Sequence, residues 1–126
     1  MEVLREFPAV ASSLAPLREV VAACARECGA PAGVVTDAVQ AVHEAAANAV
    51  VHAYGGGSAD ETIELAAGSG DGWLHYTVGD RGSGLRPGRT TPGYGLGLAI
   101  IAQLADELEL SERDGRGLVV RIAFRL

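Results

Sequence analysis

Apolar positions recur along this chain with two periods, and the places where the period changes divide it into elements. Val3 and Phe7, with charges between them and Pro8 after them, predict a short strand from Glu2 to Phe7. Leu14, Leu17, Val20, Val21 and Cys24 then follow at helical spacing. Ser12 and Ser13 are candidate N-caps for that helix, and Gly29 suits its end. Pro31 suits the first turn of a second, longer helix running to about Tyr54. Val34, Val35, Ala38, Val39, Val42, Ala45, Ala46 and Ala49 form its wide apolar face, and Gly55, Gly56 and Gly57 stop it.

Beyond the triple glycine the period shortens. Residues 62–67 and 73–78 predict two strands, joined by a hairpin turn within residues 68–72. A glycine-rich, proline-bearing loop occupies residues 79–95. A third helix is expected over 96–104, and a last strand pair over 108–111 and 118–124, joined at Asp114-Gly115. The order β-α-α-β-β-loop-α-β-β implies an α+β fold, a two-layer sandwich whose mostly antiparallel, mixed sheet is covered by helices. There is no internal repeat and no linker, so residues 1–126 read as a single domain.

Composition narrows the function classes. Hydrophobic residues at 48% and charged residues at 21% of 126 fit one globular core and exclude a disordered chain. A net charge of −6 argues against direct binding of nucleic acid and of an anionic membrane surface. The opening MEVLREFPAV does not read as a signal peptide, and no apolar run approaches the roughly 20 residues of a membrane helix. A cytoplasmic protein is expected. Cys24 and Cys28, four apart on one helix, suit reduced thiols. A metal site shared with His43 lacks a second ligand pair.

Three constellations carry candidate chemistry. In EAAANAVVHAY, residues 44–54, Glu44, Asn48 and His52 are spaced by four and share one helical stripe. Asn48 can offer its carbonyl oxygen to Mg²⁺, and Glu44 can take a proton from a hydroxyl attacking a phosphate. A solvated helix face is the plainer reading of the same stripe. In VGDRGSG, residues 78–84, Asp80 follows a strand and precedes Gly82 and Gly84. Such a carboxylate can accept a hydrogen bond from an exocyclic amine such as that of adenine; a tight turn is the alternative. In GYGLGL, residues 93–98, Gly93, Gly95 and Gly97 lead into a helix, where backbone N–H groups make a phosphate cradle. No Gly-Lys-Ser/Thr follows, so this is not a Walker loop.

In this order the three segments resemble the N box and the two glycine boxes of the ATPase fold shared by gyrase, histidine kinases and MutL (the Bergerat or GHKL fold). EAAANAVVHAY is most similar to the bacterial anti-sigma-factor serine kinases, of the sporulation and general-stress branch. Glu44, Asn48, Ala49, His52, Ala53 and Tyr54 all fit that branch's pattern, and the resemblance covers nearly the whole chain. It implies ATP and Mg²⁺ as cofactors. Glu44 is implied as general base, Asn48 as Mg²⁺ ligand and Asp80 as the adenine contact. Gly82 and Gly84 are implied to line the base pocket. Gly93, Gly95, Leu96 and Gly97 are implied to lie at the phosphates, with Arg89 a candidate phosphate contact. The implied reaction moves the γ-phosphate to a serine of an anti-anti-sigma (STAS-type) partner, and the implied second role is to sequester a sigma factor.

Two departures from the family pattern stand out. The loop Leu85–Gly93 is short for a nucleotide lid, with Arg86, Arg89, Thr90 and Thr91 as its polar side chains. The family's Gly-Thr in the last strand pair is here Gly117-Leu118, which lacks the hydroxyl of the adenine network. Both favour an alternative in which the domain is a nucleotide-binding or degenerate, non-catalytic interaction module. A histidine-kinase-like catalytic domain is a third reading, against which no phospho-acceptor histidine helix is found. His43, His75, Tyr54 and Trp73 are expected to serve packing or surface roles, and Tyr94 lies in the lid. An edge strand at residues 2–7 suits homodimerisation, and the exposed face of the helix over residues 12–28 suits a partner.

Overall fold

The structure, a computed structural model, describes residues 2–53, 57–81, 94–113 and 117–126. The strands are β1 (Glu2–Ala9), β2 (Ser58–Gly70), β3 (Trp73–Gly79), β4 (Glu107–Glu112) and β5 (Leu118–Arg125). The helices are α1 (Leu14–Glu27), α2 (Ala32–Asn48) and α3 (Tyr94–Leu104). The five strands form one sheet in the order β1-β2-β3-β5-β4, and all four pairings are antiparallel, so the sheet is not mixed.

Strand alternation sorts side chains onto two faces. Ile63, Leu65 and Ala67 of β2, Leu74, Tyr76 and Val78 of β3, and Leu118, Val120, Ile122 and Phe124 of β5 are buried on one of them. The helices cover that face. α2 lies between α1 and α3 and packs on both. Its buried stripe is rich in small residues (Ala38, Ala41, Ala45 and Ala46), which lets its neighbours approach closely. Tyr76 crosses the interface between layers: its buried hydroxyl donates to the Val21 carbonyl of α1 at 2.8 Å, and its ring meets Phe124 edge-on. The hydroxyl therefore ties α1 to the central strand where a bare aromatic ring would only pack.

Element ends differ from the sequence expectations in ways the chemistry explains. Pro8 does not stop β1, which continues through a register shift to Ala9. As an edge strand, β1 tolerates a residue without a ladder N–H. Neither serine caps α1 through its side chain. A 3₁₀ turn, Ala11–Ser13, runs directly into the helix, and Ser13 occupies the N-cap position with helical dihedrals. Gly29 ends α1 as expected, at φ +80°, where Ala30 N–H donates to Ala25 and Gly29 N–H to Arg26. This paired arrangement is the Schellman motif. The β2–β3 hairpin turns on Asp71 and Gly72 alone, both at positive φ, as a two-residue turn requires.

Candidate nucleotide site

One end of the sheet gathers the chemistry. Antiparallel pairing puts the end of β1 beside the start of β2 (Ala9 and Ser58), and the end of β3 beside the middle of β2 (Gly79 and Glu64) and the start of β5 (Gly79 and Val119). The C-terminal end of α2 lies over this same end. A Cβ placed on Gly57 would lie 3.2 Å from the Ala9 carbonyl oxygen and 3.7 Å from Val50, just beyond Asn48. α3 starts here too, because Gly97 abuts Asn48. Asn48, Asp80 and the start of α3, far apart in sequence, thus converge on one end of the molecule.

The N-box helix is not the single uninterrupted helix expected to about Tyr54. α2 ends at Asn48, and Ala49–Ala53 form one wider, π-helical turn. The wide turn carries Val50 into the core while Val51 stays 53% exposed. Such turns recur at functional sites because they re-aim the residues beside them. Glu44 and Asn48 are both half-buried on α2. No ion pair among the described residues engages Glu44. Asn48 Nδ2 is buried and has no hydrogen-bond partner among the described residues. An unsatisfied buried donor costs about 1–3 kcal/mol. Such a donor is a place where a water, an ion or a ligand can complete the structure. The same carboxamide, turned over, presents Oδ1 to a hard cation, so the residues fit the Mg²⁺ that the resemblance implies.

Asp80 is 6% exposed. Its backbone N–H donates to the Leu118 carbonyl at 3.0 Å, and one carboxylate oxygen accepts from the Leu118 N–H at 3.3 Å. β5 thus aims the carboxylate through its backbone, which is indifferent to the replacement of threonine by leucine. The Leu118 side chain, 4% exposed, belongs to the core. Gly117 makes this approach possible. It sits at φ +90°, and a Cβ there would collide with the Asp80 carbonyl and lie 2.9 Å from Arg81 Cα. The sequence flags Gly117 only as half of a family dipeptide, whereas the structure shows it as the point where β5 touches the Asp80 backbone.

A feature the sequence does not signal lies beside this point. Arg113, just past β4, reaches across β5 and β3 to ion-pair with Glu64 of β2, and Arg81 approaches the same carboxylate at 3.9 Å. The guanidinium passes over Gly79, where a Cβ would stand 3.0 Å from Arg113 Nη2. The strap ties four strands together next to Asp80. Its two anchors are 49 residues apart in sequence, so no local spacing betrays them.

α3 begins at Tyr94, two residues earlier than expected, which places Gly95 and Gly97 inside its first turns. Leu96 is 66% exposed, while Gly97 is buried against Asn48. Gly82, Gly84, Arg89 and Gly93 lie outside the described residues, as does Tyr54. His43 has a partner in α1, accepting at Nδ1 from Arg18 at 3.0 Å. Among the described residues no three His, Cys, Asp or Glu side chains cluster as a metal site, and Cys24 and Cys28 are free thiols.

Comparison with known proteins bears on the family and the fold. The family model described as a histidine kinase-like ATPase domain matches residues 7–124. No curated protein matches the chain. Among solved structures, the RsbU and RsbW domains of Rv1364c from Mycobacterium tuberculosis superpose with a TM-score of 0.79 at 25% identity. That match covers 100% of this chain and 32% of the other, so the present chain spans about a third of that protein's length. The SiaB–SiaC complex from Pseudomonas aeruginosa gives 0.71 at 15% identity, over 97% of this chain and 88% of its counterpart. The histidine kinase domain of a blue-light activated histidine kinase from Erythrobacter litoralis gives 0.60 at 22%, over 95% and 62%. These last two likenesses are of fold. With the family model spanning nearly its whole length, this chain belongs to the histidine kinase-like ATPase domain family.

Proposed function

We propose that the domain binds Mg-ATP, passes the γ-phosphate to a serine of an anti-anti-sigma, STAS-type partner, and sequesters a sigma factor in the cytoplasm. The observation that carries this reading is the orphaned, buried Asn48 carboxamide at the end of the sheet where Asp80 is held. That arrangement leaves a polar site waiting for a ligand with both a base and phosphates. Likeness to the RsbW-containing structure supports the choice of an anti-sigma-type kinase within the family.

In this reading Asp80 accepts from the adenine amine, with Gly82 and Gly84 beside the ring. Asn48 holds the metal. Gly93, Gly95 and the start of α3 face the phosphates, and Arg89 contacts them. Bound Mg²⁺ neutralises phosphate charge during transfer. Glu44 accepts the proton of the serine hydroxyl as its oxygen bonds to the γ-phosphorus. The bond from that phosphorus to the bridging oxygen breaks, and ADP leaves. A positioned base of this kind contributes about 10²–10⁴-fold. The non-catalytic interaction module remains the second reading. It is favoured by Leu118, whose buried side chain has no hydroxyl to offer the adenine network.

The test is transfer of labelled γ-phosphate to a purified STAS domain. Wild-type protein is expected to label it, and Glu44→Ala to lose about 10²-fold or more in rate. ATP affinity should hold in that variant, since a base acts on the reaction and not on binding. Equal rates in the two proteins would remove Glu44 from the mechanism. ATP binding with no transfer by wild type would leave the interaction module as the better description.

A further inference from the structure

The last glycine of the GYGLGL motif does not owe its identity to backbone conformation. Gly97 lies within α3 and is not among the glycines of positive φ, so any L-residue can adopt its dihedrals. Glycine is a poor residue for a helix interior, and alanine there ordinarily stabilises. What the position lacks is room. A Cβ on Gly97 would stand 2.8 Å from Asn48 Nδ2, 3.0 Å from Oδ1 and 3.2 Å from Cγ, so the carboxamide lies across the bare Cα. By contrast, a Cβ on Gly33, in the first turn of α2, meets nothing within 4 Å.

A second observation makes that contact consequential. Asn48 Nδ2 is buried with no hydrogen-bond partner among the described residues. A donor with no partner is located by what it packs against. The surface under it is Gly97.

We propose that Gly97 is a positioning residue for Asn48: its missing side chain forms the seat that sets where the carboxamide points, so the placement of α3 governs metal binding on α2. This rests on the reading of Asn48 as the Mg²⁺ ligand. The glycine box thereby acts on the metal as well as lying near the phosphates. Movement of α3 along α2 would alter metal affinity without any change in the ligand residue.

The experiment is a double-mutant cycle read in two ways, with Gly97→Ala, Asn48→Ala and the double variant. Thermal unfolding reports the contact. Gly97→Ala is expected to raise Tm less in the presence of Asn48, whose carboxamide must turn aside, than in the Asn48→Ala background, where the contact is gone and only helix propensity remains. Calorimetry reports the function. Gly97→Ala is expected to weaken ATP binding in Mg²⁺ at least ten-fold, a larger factor than in EDTA.

Additive Tm shifts would overturn the proposal. So would non-additive Tm shifts with Mg²⁺-dependent binding intact, since the contact would then be packing alone. Should wild type itself bind ATP no better with Mg²⁺, the metal reading of Asn48 fails and the positioning role falls with it. The Tm cycle would still report the contact, which separates the two failures.

Discussion

Single residues at this site are constrained by backbone as much as by side-chain chemistry. Gly117 holds a left-handed conformation against the Asp80 carbonyl. Gly117→Ala should therefore destabilise the fold by about 2 kcal/mol or more, combining the left-handed penalty with the collision, measurable by urea unfolding. Asp80→Asn keeps the shape, but with its oxygen accepting from the Leu118 N–H it turns an NH₂ donor toward the position proposed for the adenine amine. ATP affinity should fall at least about ten-fold, and unchanged affinity would take Asp80 out of the adenine contact. Tyr76 bears on stability instead. Burial pushes its phenol above the ordinary 10.0, with Cys24 and Cys28 adding to the shift. Because the unfolded chain loses this proton first, the stabilisation is complete below about pH 10 and is lost as pH rises beyond it. Tyr76→Phe should cost about 1 kcal/mol at neutral pH through the lost bond to Val21 and should flatten the alkaline fall in stability.

The elements themselves were legible wherever a single period ran long enough. The apolar stripe of α2, the alternation of β3 and β5 and the Gly29 stop all stand in the structure at or near their expected places. What sequence pattern could not supply was anything decided across elements. The change from α-helix to a π-helical turn after Asn48 depends on Val50 finding the core beside Gly57. The early start of α3 overrides two glycines of low helix propensity, at least one of which is seated on another helix. The Arg113–Glu64 strap joins the end of β4 to the middle of β2, which only the sheet order brings within reach. With both side chains about a quarter exposed, 26% and 23%, this pair should behave as a partly screened ion pair. A double-mutant cycle with Arg113→Ala and Glu64→Ala should give a coupling of about 1 kcal/mol or less, shrinking with added salt. A coupling that ignores salt would point to packing over Gly79 as its source.

At the scale of the whole molecule, the design is a sheet with one covered face and one loaded end. The helical layer holds the core, and residues from α2, α3, β3 and β5 meet where the strands β1 and β3 finish. No described helix is long and apolar enough to cross a membrane. With a net charge of −6, the proposed function requires a metal and backbone N–H groups, rather than a basic surface, to hold a polyanionic nucleotide. That makes metal dependence the sharpest property of the account. The direct measurement is a calorimetric titration of ATP into the purified protein with Mg²⁺ and with EDTA, repeated on Asn48→Ala. The account predicts binding that Mg²⁺ strengthens and that Asn48→Ala reduces to its EDTA level. Absence of binding at millimolar ATP, or binding equally strong in EDTA, would contradict it.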